Sequence, residues 1–279
     1  MSNNIPPSQL LPGDVFLLHG NGFISDMIRL FDGSQYSHAA FFDGSNVVEA
    51  IESGVTATPL AQCQSVAEAE YVHVYRFISQ DGHQLGDPGY GVQPLLDTAA
   101  QYVAAGERYA YEQILLLAVL AATRRMPVVS DIPFLRWLIR NVTDNAADII
   151  AKVVAAGKEP MICSELVYRC YTESGPQYDL LIRGADTMAA RMQALPPMGS
   201  SPEAEAIRSD LDAFLAKYHR AKLRARVATQ PTTRKKPRKG KTAGAHAAGA
   251  LAPMAVADFV TPRDLRDSPD LTLAGALQV

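Results

Sequence analysis

The chain has 279 residues, of which 48% are hydrophobic, so it can form one large domain with a substantial core. Its three cysteines show no CxxC spacing, which excludes a disulfide framework and a cysteine-based zinc site and fits a reducing compartment. The net charge of -3 conceals a strongly basic segment, because ten of the 26 Lys and Arg residues lie between Arg220 and Lys241 with no acidic residue among them.

The first 80 residues are predicted to be rich in β-strands. Apolar or alternating runs between glycine-containing turns predict strands at 14–18, 37–42, 46–51 and 69–77. The sequence ISDMIRLF predicts a helix after the first of them. The N-terminus has no signal-like segment, so we expect a cytoplasmic protein by default, with export by a dedicated secretion system as the alternative.

The pattern becomes helical from about Pro94. Apolar residues recur there at three- and four-residue spacing, which predicts a helical insertion over about residues 110–158. Its most apolar run, Ile114 to Ala122, has about half the length of a membrane span, so no transmembrane span is expected. A helix over CSELVYRCYTES follows the insertion. Strands followed by helices predict an α+β domain over residues 1–227.

The remaining 52 residues differ in composition from this domain. Residues 228–253 are rich in Pro, Gly, Ala, Lys and Arg without periodicity, which predicts a disordered basic linker. The linker lacks interleaved aromatic residues, so we expect contact with anionic surfaces at most and no sequence-specific nucleic-acid binding. Residues 254–279 regain apolar residues, and we expect them to dock on the domain.

A predicted hairpin brings two polar residues together. The sequence DGSN at 43–46 favours a tight turn, and the register pairs Phe42 with Val47. Side chains alternate along each strand, so His38 and Glu49 become diagonal neighbours on one face. Two interpretations stay open: a core histidine beside a solvated glutamate, or a general base oriented by a carboxylate.

Cys163 is the candidate nucleophile. Pro160 precedes an apolar helix, which places Cys163 in the first turn, where the helix dipole and free backbone N–H groups favour a thiolate. The alternative is an ordinary buried cysteine. Cys63 and Cys170 lack the helix-start context, and we assign both to packing. Glu165 is interpreted as a first-turn acid that supports the start of the helix.

Five stretches resemble, in this order, a known family: GDVFLLHGNGFISDMIRLF, YSHAAFF, VVEAIESGVTATPL, GERY and ICSELVYRCY. The family is the circularly permuted branch of the NlpC-type papain-like cysteine hydrolases, the YiiX/YaeF-like amidases, in which the histidine and its partner precede the cysteine. The resemblance covers roughly residues 11–175. It implies a permuted papain-like fold, with a small antiparallel sheet or barrel packed on helices and the helical insertion before the nucleophile helix.

The resemblance also implies roles for individual residues. Cys163 would be the nucleophile, His38 the general base and Glu49 the residue that orients His38. Tyr109 in GERY matches a tyrosine expected near the oxyanion, although a packing role is equally compatible with its position. No metal or cofactor is expected, because the histidines are scattered without ligand spacing and neither glycine-rich turn has a phosphate-binding lysine.

The expected reaction is acyl transfer through an acyl-enzyme, usually ending in hydrolysis. The family favours an amide bond in a peptide or peptidoglycan-like substrate. A lipid ester is the alternative, as in permuted members similar to lecithin retinol acyltransferase, and the apolar, arginine-flanked insertion fits an acyl chain or a membrane interface. A further alternative is a non-catalytic ligand-binding module that has kept the fold.

Overall fold

The computed structural model describes residues 4–106, 108–109, 160–183, 220, 257 and 260–278. Within them the chain is an α+β protein built on one mixed sheet of seven strands. The predicted insertion at 110–158, the basic linker at 228–253 and the first residues of the 254–279 segment, apart from residue 257, lie outside the described residues.

The seven strands are arranged in the order β1-β9-β6-β2-β3-β4-β5. Their bounds are β1 Asn4–Ile5, β2 Val15–His19, β3 His38–Phe42, β4 Asn46–Ile51, β5 Gly54–Pro59, β6 Tyr71–Phe77 and β9 Leu271–Leu277. Neighbouring strands are antiparallel except β1 and β9, which are parallel. Two further short strands, β7 Arg108–Tyr109 and β8 Pro160–Met161, pair with each other in parallel.

Helices lie on both faces of the sheet. Their bounds are α1 Phe23–Asp32, α2 Gln64–Ala67, α3 Gln93–Ala105, α4 Cys163–Thr172 and α5 Pro262–Asp267. The larger core joins α3, α4 and α5 to the sheet face that carries Ala39 and Phe41. The smaller core joins Cys63 and Val66, from the start of α2, to the opposite face that carries Ala40 and Phe42. The alternation of β3 side chains produces these two layers.

Most of the elements predicted in the N-terminal part are confirmed, with shifts of one or two residues at their ends. The strand predicted at 69–77 begins at Tyr71, and the predicted hairpin strands correspond to β3 and β4. Strand β5 was not predicted, because its alternation of apolar and polar residues covers only four positions between a glycine and a proline, which are turn signals. The expected small antiparallel sheet is a mixed seven-stranded sheet, since the chain end adds β9 between β1 and β6.

Candidate functional site

The turn between β3 and β4 sets the geometry of the site. Asp43 holds this turn, with its Oδ1 accepting hydrogen bonds from the backbone N–H groups of Ser45 and Asn46 at 2.8 and 2.6 Å. The turn pairs Phe42 with Val47, as the sequence predicts. The two strands form ladder pairs next to the turn, at Phe42 with Val47 and Phe41 with Val48.

His38 and Glu49 meet beyond that ladder. The His38 Nε2 atom lies 2.7 Å from Oε2 of Glu49, a hydrogen bond and ion pair between side chains that are 16% and 3% exposed. A carboxylate on Nε2 makes that nitrogen the donor and leaves Nδ1 as the nitrogen for another partner. The structure therefore confirms the predicted contact between these two side chains.

Cys163 is the first residue of α4 and is 6% exposed. The first N–H groups of a helix have no partner within the helix, and their dipoles favour a negative charge close by. Glu165 follows in the same turn, and its Oε2 lies 3.5 Å from the backbone N–H of Ile162. The expected role of Glu165 at the helix start is thus confirmed.

Glu165 forms an ion pair within its own helix. Arg169, one turn further on, bonds Glu165 Oε1 through its NH2 group at 2.7 Å, and both side chains are almost fully buried. A buried carboxylate requires a partner of opposite charge, and Arg169 supplies it within α4.

Cys163 and His38 interact, and each shifts the pKa of the other. Burial opposes ionisation of the thiol, but the positive charge of His38, its hydrogen bond and the backbone N–H groups of Ala39 and Ser164 outweigh burial and lower the pKa of Cys163. Burial likewise opposes the charge on His38, whereas Cys163 and Glu49 raise the pKa of His38 to about 10. The two opposite shifts favour a thiolate beside an imidazolium.

The pKa values of the other two cysteines are shifted in the opposite direction, upwards. Burial raises the pKa of Cys170, and the charge of Glu173 adds to that effect. Burial also raises the pKa of Cys63, against a hydrogen bond with Ser65 that lowers it. Both keep their protons at neutral pH, so Cys163 alone among the three cysteines has thiolate character.

Glu49 has two further partners that the sequence analysis missed. Ser65 Oγ donates to Glu49 Oε2 at 2.6 Å, and Cys63 Sγ donates to Oε1 at 3.4 Å. Burial raises the pKa of Glu49, but its bonds to His38, Ser65 and Cys63 outweigh burial and lower it. The assignment of Cys63 to packing was therefore incomplete, because its thiol also bonds the carboxylate. Cys63 and Ser65 lie 14 and 16 positions after Glu49. Both residues are outside the β3–β4 hairpin, so the hairpin register could not predict these contacts.

Tyr109 lies close to the nucleophile along the backbone. It is the second residue of β7 and pairs with Met161, two residues before Cys163. The pairing of β7 with β8 thus brings the backbone of Arg108 and Tyr109 to the segment just before α4. The role of its hydroxyl at the oxyanion stays a prediction.

The described residues contain no group of three or more His, Cys, Asp or Glu side chains arranged to hold a metal ion. Among the helices that the structure describes, none is long and apolar enough to cross a membrane.

Comparisons with known proteins find likeness among solved structures. No family model matches the chain, and no curated protein matches it. The chain is similar to a solved structure described as the metalloprotein YiiX, DUF1105, from Escherichia coli O157:H7. The two chains are 18% identical, the likeness covers 95% of this chain and 96% of that one, and the TM-score is 0.43.

Proposed function

We propose that this protein is a cysteine-dependent acyl hydrolase of the permuted papain-like kind, acting on an amide bond in a peptide or peptidoglycan-like substrate. The observation that carries the proposal is the connected set of Cys163, His38 and Glu49, in which the pKa of the thiol is lowered and that of the imidazole is raised. The histidine and its carboxylate precede the cysteine in the chain, which is the permuted order.

The reaction begins with attack by the Cys163 thiolate on the substrate carbonyl carbon, which forms the carbon–sulfur bond and an oxyanion. The backbone N–H of Cys163 lies in the first turn of α4, where helix N–H groups lack helical partners and can donate to such an oxygen. The Tyr109 hydroxyl is the second donor in this proposal. The carbonyl of the substrate therefore lies over the helix N-terminus.

His38 then moves the proton that the reaction needs. Its Nδ1–H donates to the leaving amine as the carbon–nitrogen bond breaks, which leaves a thioester on Cys163. The neutral imidazole next accepts a proton from water, and the resulting hydroxide attacks the thioester and releases the acid. Glu49 stays ionised throughout and holds Nε2–H, so the ring presents Nδ1 to the sulfur in both steps.

The proposal is tested by adding purified protein separately to peptidoglycan fragments and to phospholipid vesicles, and measuring new amino groups and released fatty acid. We expect new amino groups from the first substrate. The Cys163→Ala variant should lose the activity by roughly 1,000-fold or more, since no other group supplies the nucleophile.

Cys170→Ala is the matched control, because this cysteine lies on the same helix but keeps its proton. It should retain turnover close to that of the unmodified protein. Fatty-acid release without new amino groups would replace the amide by a lipid ester. Turnover that Cys163→Ala leaves unchanged would contradict the cysteine mechanism. A non-catalytic module would be favoured if neither substrate is cleaved and Cys163 reacts as an ordinary thiol.

A further inference from the structure

We infer that Ser65 and Cys63 are positioning residues for this reaction, which hold the Glu49 carboxylate in the orientation that His38 requires. The inference rests on the proposed function. Neither side chain is part of the predicted set of site residues, and both act on His38 only through Glu49.

Each oxygen of Glu49 has its own donor from this segment. Oε2 accepts from Ser65 Oγ at 2.6 Å as well as from His38 Nε2 at 2.7 Å, whereas Oε1 accepts from Cys63 Sγ at 3.4 Å. A carboxylate bonded through both oxygens cannot rotate about its last bond without breaking a contact. The oxygen that faces His38 is therefore fixed in place.

The protons available at the two donors agree with this arrangement. Ser65 and Cys63 carry one donor proton each, and their own side-chain atoms lie 3.2 Å apart. The thiol keeps its proton because burial and the charge of Glu49 raise the pKa of Cys63. Glu49 is 2% exposed and offers only acceptors while ionised. Because an unpaired buried acceptor is costly, the lowest-energy arrangement has each proton in a hydrogen bond to one carboxylate oxygen.

The local fold presents the two donors as one unit. Cys63 ends a 3₁₀ turn at Leu60–Gln62 and begins α2, with its backbone carbonyl accepting from Ala67 N–H at 3.0 Å. Cys63 and Val66 are 1% exposed and belong to the smaller core, whereas Ser65 is half-buried. Apolar packing thus anchors the segment, and its polar side chains reach the carboxylate from the sheet face opposite α4.

The consequence for His38 is electrostatic as well as geometric. Loss of a donor frees the Glu49 carboxylate to turn away from His38, and a carboxylate that no longer faces the imidazolium supports its charge less well. If the pKa of His38 falls, its positive charge is lost at a lower pH, and the thiolate fraction of Cys163 at acidic pH falls as well. The effect is therefore visible at the sulfur, although neither residue contacts the sulfur.

The experiment measures the alkylation rate of Cys163 by iodoacetamide as a function of pH, with peptide mapping to separate the three cysteines. In Ser65→Ala the midpoint of the Cys163 profile should move to higher pH by roughly half to one unit, which is about a three- to tenfold lower rate below the midpoint. Ser65→Thr keeps a hydroxyl and should restore most of the profile.

A second pair of variants keeps the test valid if Ser65→Ala folds poorly. Cys63→Ala removes the donor to Oε1 and should move the midpoint in the same direction by less, since a thiol is a weak donor. Cys63→Ser restores a donor and should return the midpoint towards that of the unmodified protein.

Ser79→Ala is the matched control for loss of a serine hydroxyl. Its Oγ accepts a hydrogen bond from the His83 backbone N–H at 3.0 Å. Ser79 follows the last residue of β6, Phe77, whereas His38 lies nearer to the first residue of β6, Tyr71. This variant should leave the profile unmoved. A Ser65→Ala protein with lowered thermal stability and an unmoved profile would overturn the positioning role alone. An unmodified protein whose Cys163 titrates as an ordinary thiol would overturn the proposed function as well.

Discussion

His38 and His73 lie two strands apart in the same sheet, on β3 and β6, yet their surroundings shift the pKa values of the two rings in opposite directions. His38 contacts the Glu49 carboxylate and the Cys163 thiol group, and its pKa is raised to about 10. His73 contacts the Tyr36 hydroxyl through Nδ1 at 2.7 Å, and burial lowers its pKa. Both histidines are partly buried, and burial by itself would lower the pKa of either ring.

The difference is in the charge of the partners. Burial disfavours the charged form of either ring, and only His38 has negative partners that outweigh it. The Tyr36 hydroxyl also lies 3.1 Å from the Tyr75 hydroxyl, in a neutral network within the sheet core. A histidine bonded to neutral hydroxyls is suited to packing, whereas a histidine between a carboxylate and a thiol is suited to proton transfer.

The largest expected contrast is in turnover after the same substitution at the two histidines. His38→Asn should lower turnover by roughly 1,000-fold or more, because it removes both the proton carrier and the charge that stabilises the thiolate. His73→Asn should retain turnover close to that of the unmodified protein. Steady-state assays measure both variants on whichever substrate, peptidoglycan fragments or phospholipid vesicles, the unmodified protein cleaves. Equal losses in the two variants would mean that the contrast in charge state has no part in function.

A smaller contrast is expected from the partners of the two histidines. Glu49→Gln removes the negative charge beside His38, so the pKa of His38 should fall, that of Cys163 should rise, and turnover should drop roughly 100-fold. Tyr36→Phe removes the partner of His73 and should leave turnover unchanged. The assays compare the two variants at one pH near neutrality; a Glu49→Gln protein with full turnover would remove Glu49 from the mechanism.

The smallest expected effect is a loss of stability when the hydrogen bonds of the Tyr36 hydroxyl are removed. Tyr36 is fully buried, and its hydroxyl contacts His73, Tyr75 and Gln35. Tyr36→Phe keeps the ring and loses these bonds, so the free energy of unfolding should fall by about 1 kcal/mol. Urea denaturation measures this change. A variant as stable as the unmodified protein would show that the network adds nothing to the fold.

The parts of the site that follow from local sequence were predictable. The turn at Asp43 fixes the hairpin register, and the register alone places His38 beside Glu49. The helix start after Pro160 likewise follows from short-range signals, and it places Cys163 in the first turn. These predictions needed contacts over no more than about a dozen residues.

The parts that depend on distant segments were not predictable in the same way. The contact of Ser65 with Glu49 requires the segment after β5 to fold back over the sheet, and no periodic pattern marks that return. The position of β9 in the sheet, between β1 and β6, joins the two ends of the chain. Such pairings depend on which surfaces remain to be covered, which a single sequence does not specify.

The most direct test of the account is an NMR titration of the histidine rings, assigned with His38→Asn and His73→Asn. A raised pKa means that His38 stays protonated through neutral pH and loses its proton only as the pH rises through about 10. A lowered pKa means that His73 is neutral at pH 7 and gains a proton only below its ordinary value of 6.5. Protonated His38 beside neutral His73 at pH 7 is the predicted result. A His38 ring that titrates near pH 6.5, together with His73, would contradict the thiolate–imidazolium pair.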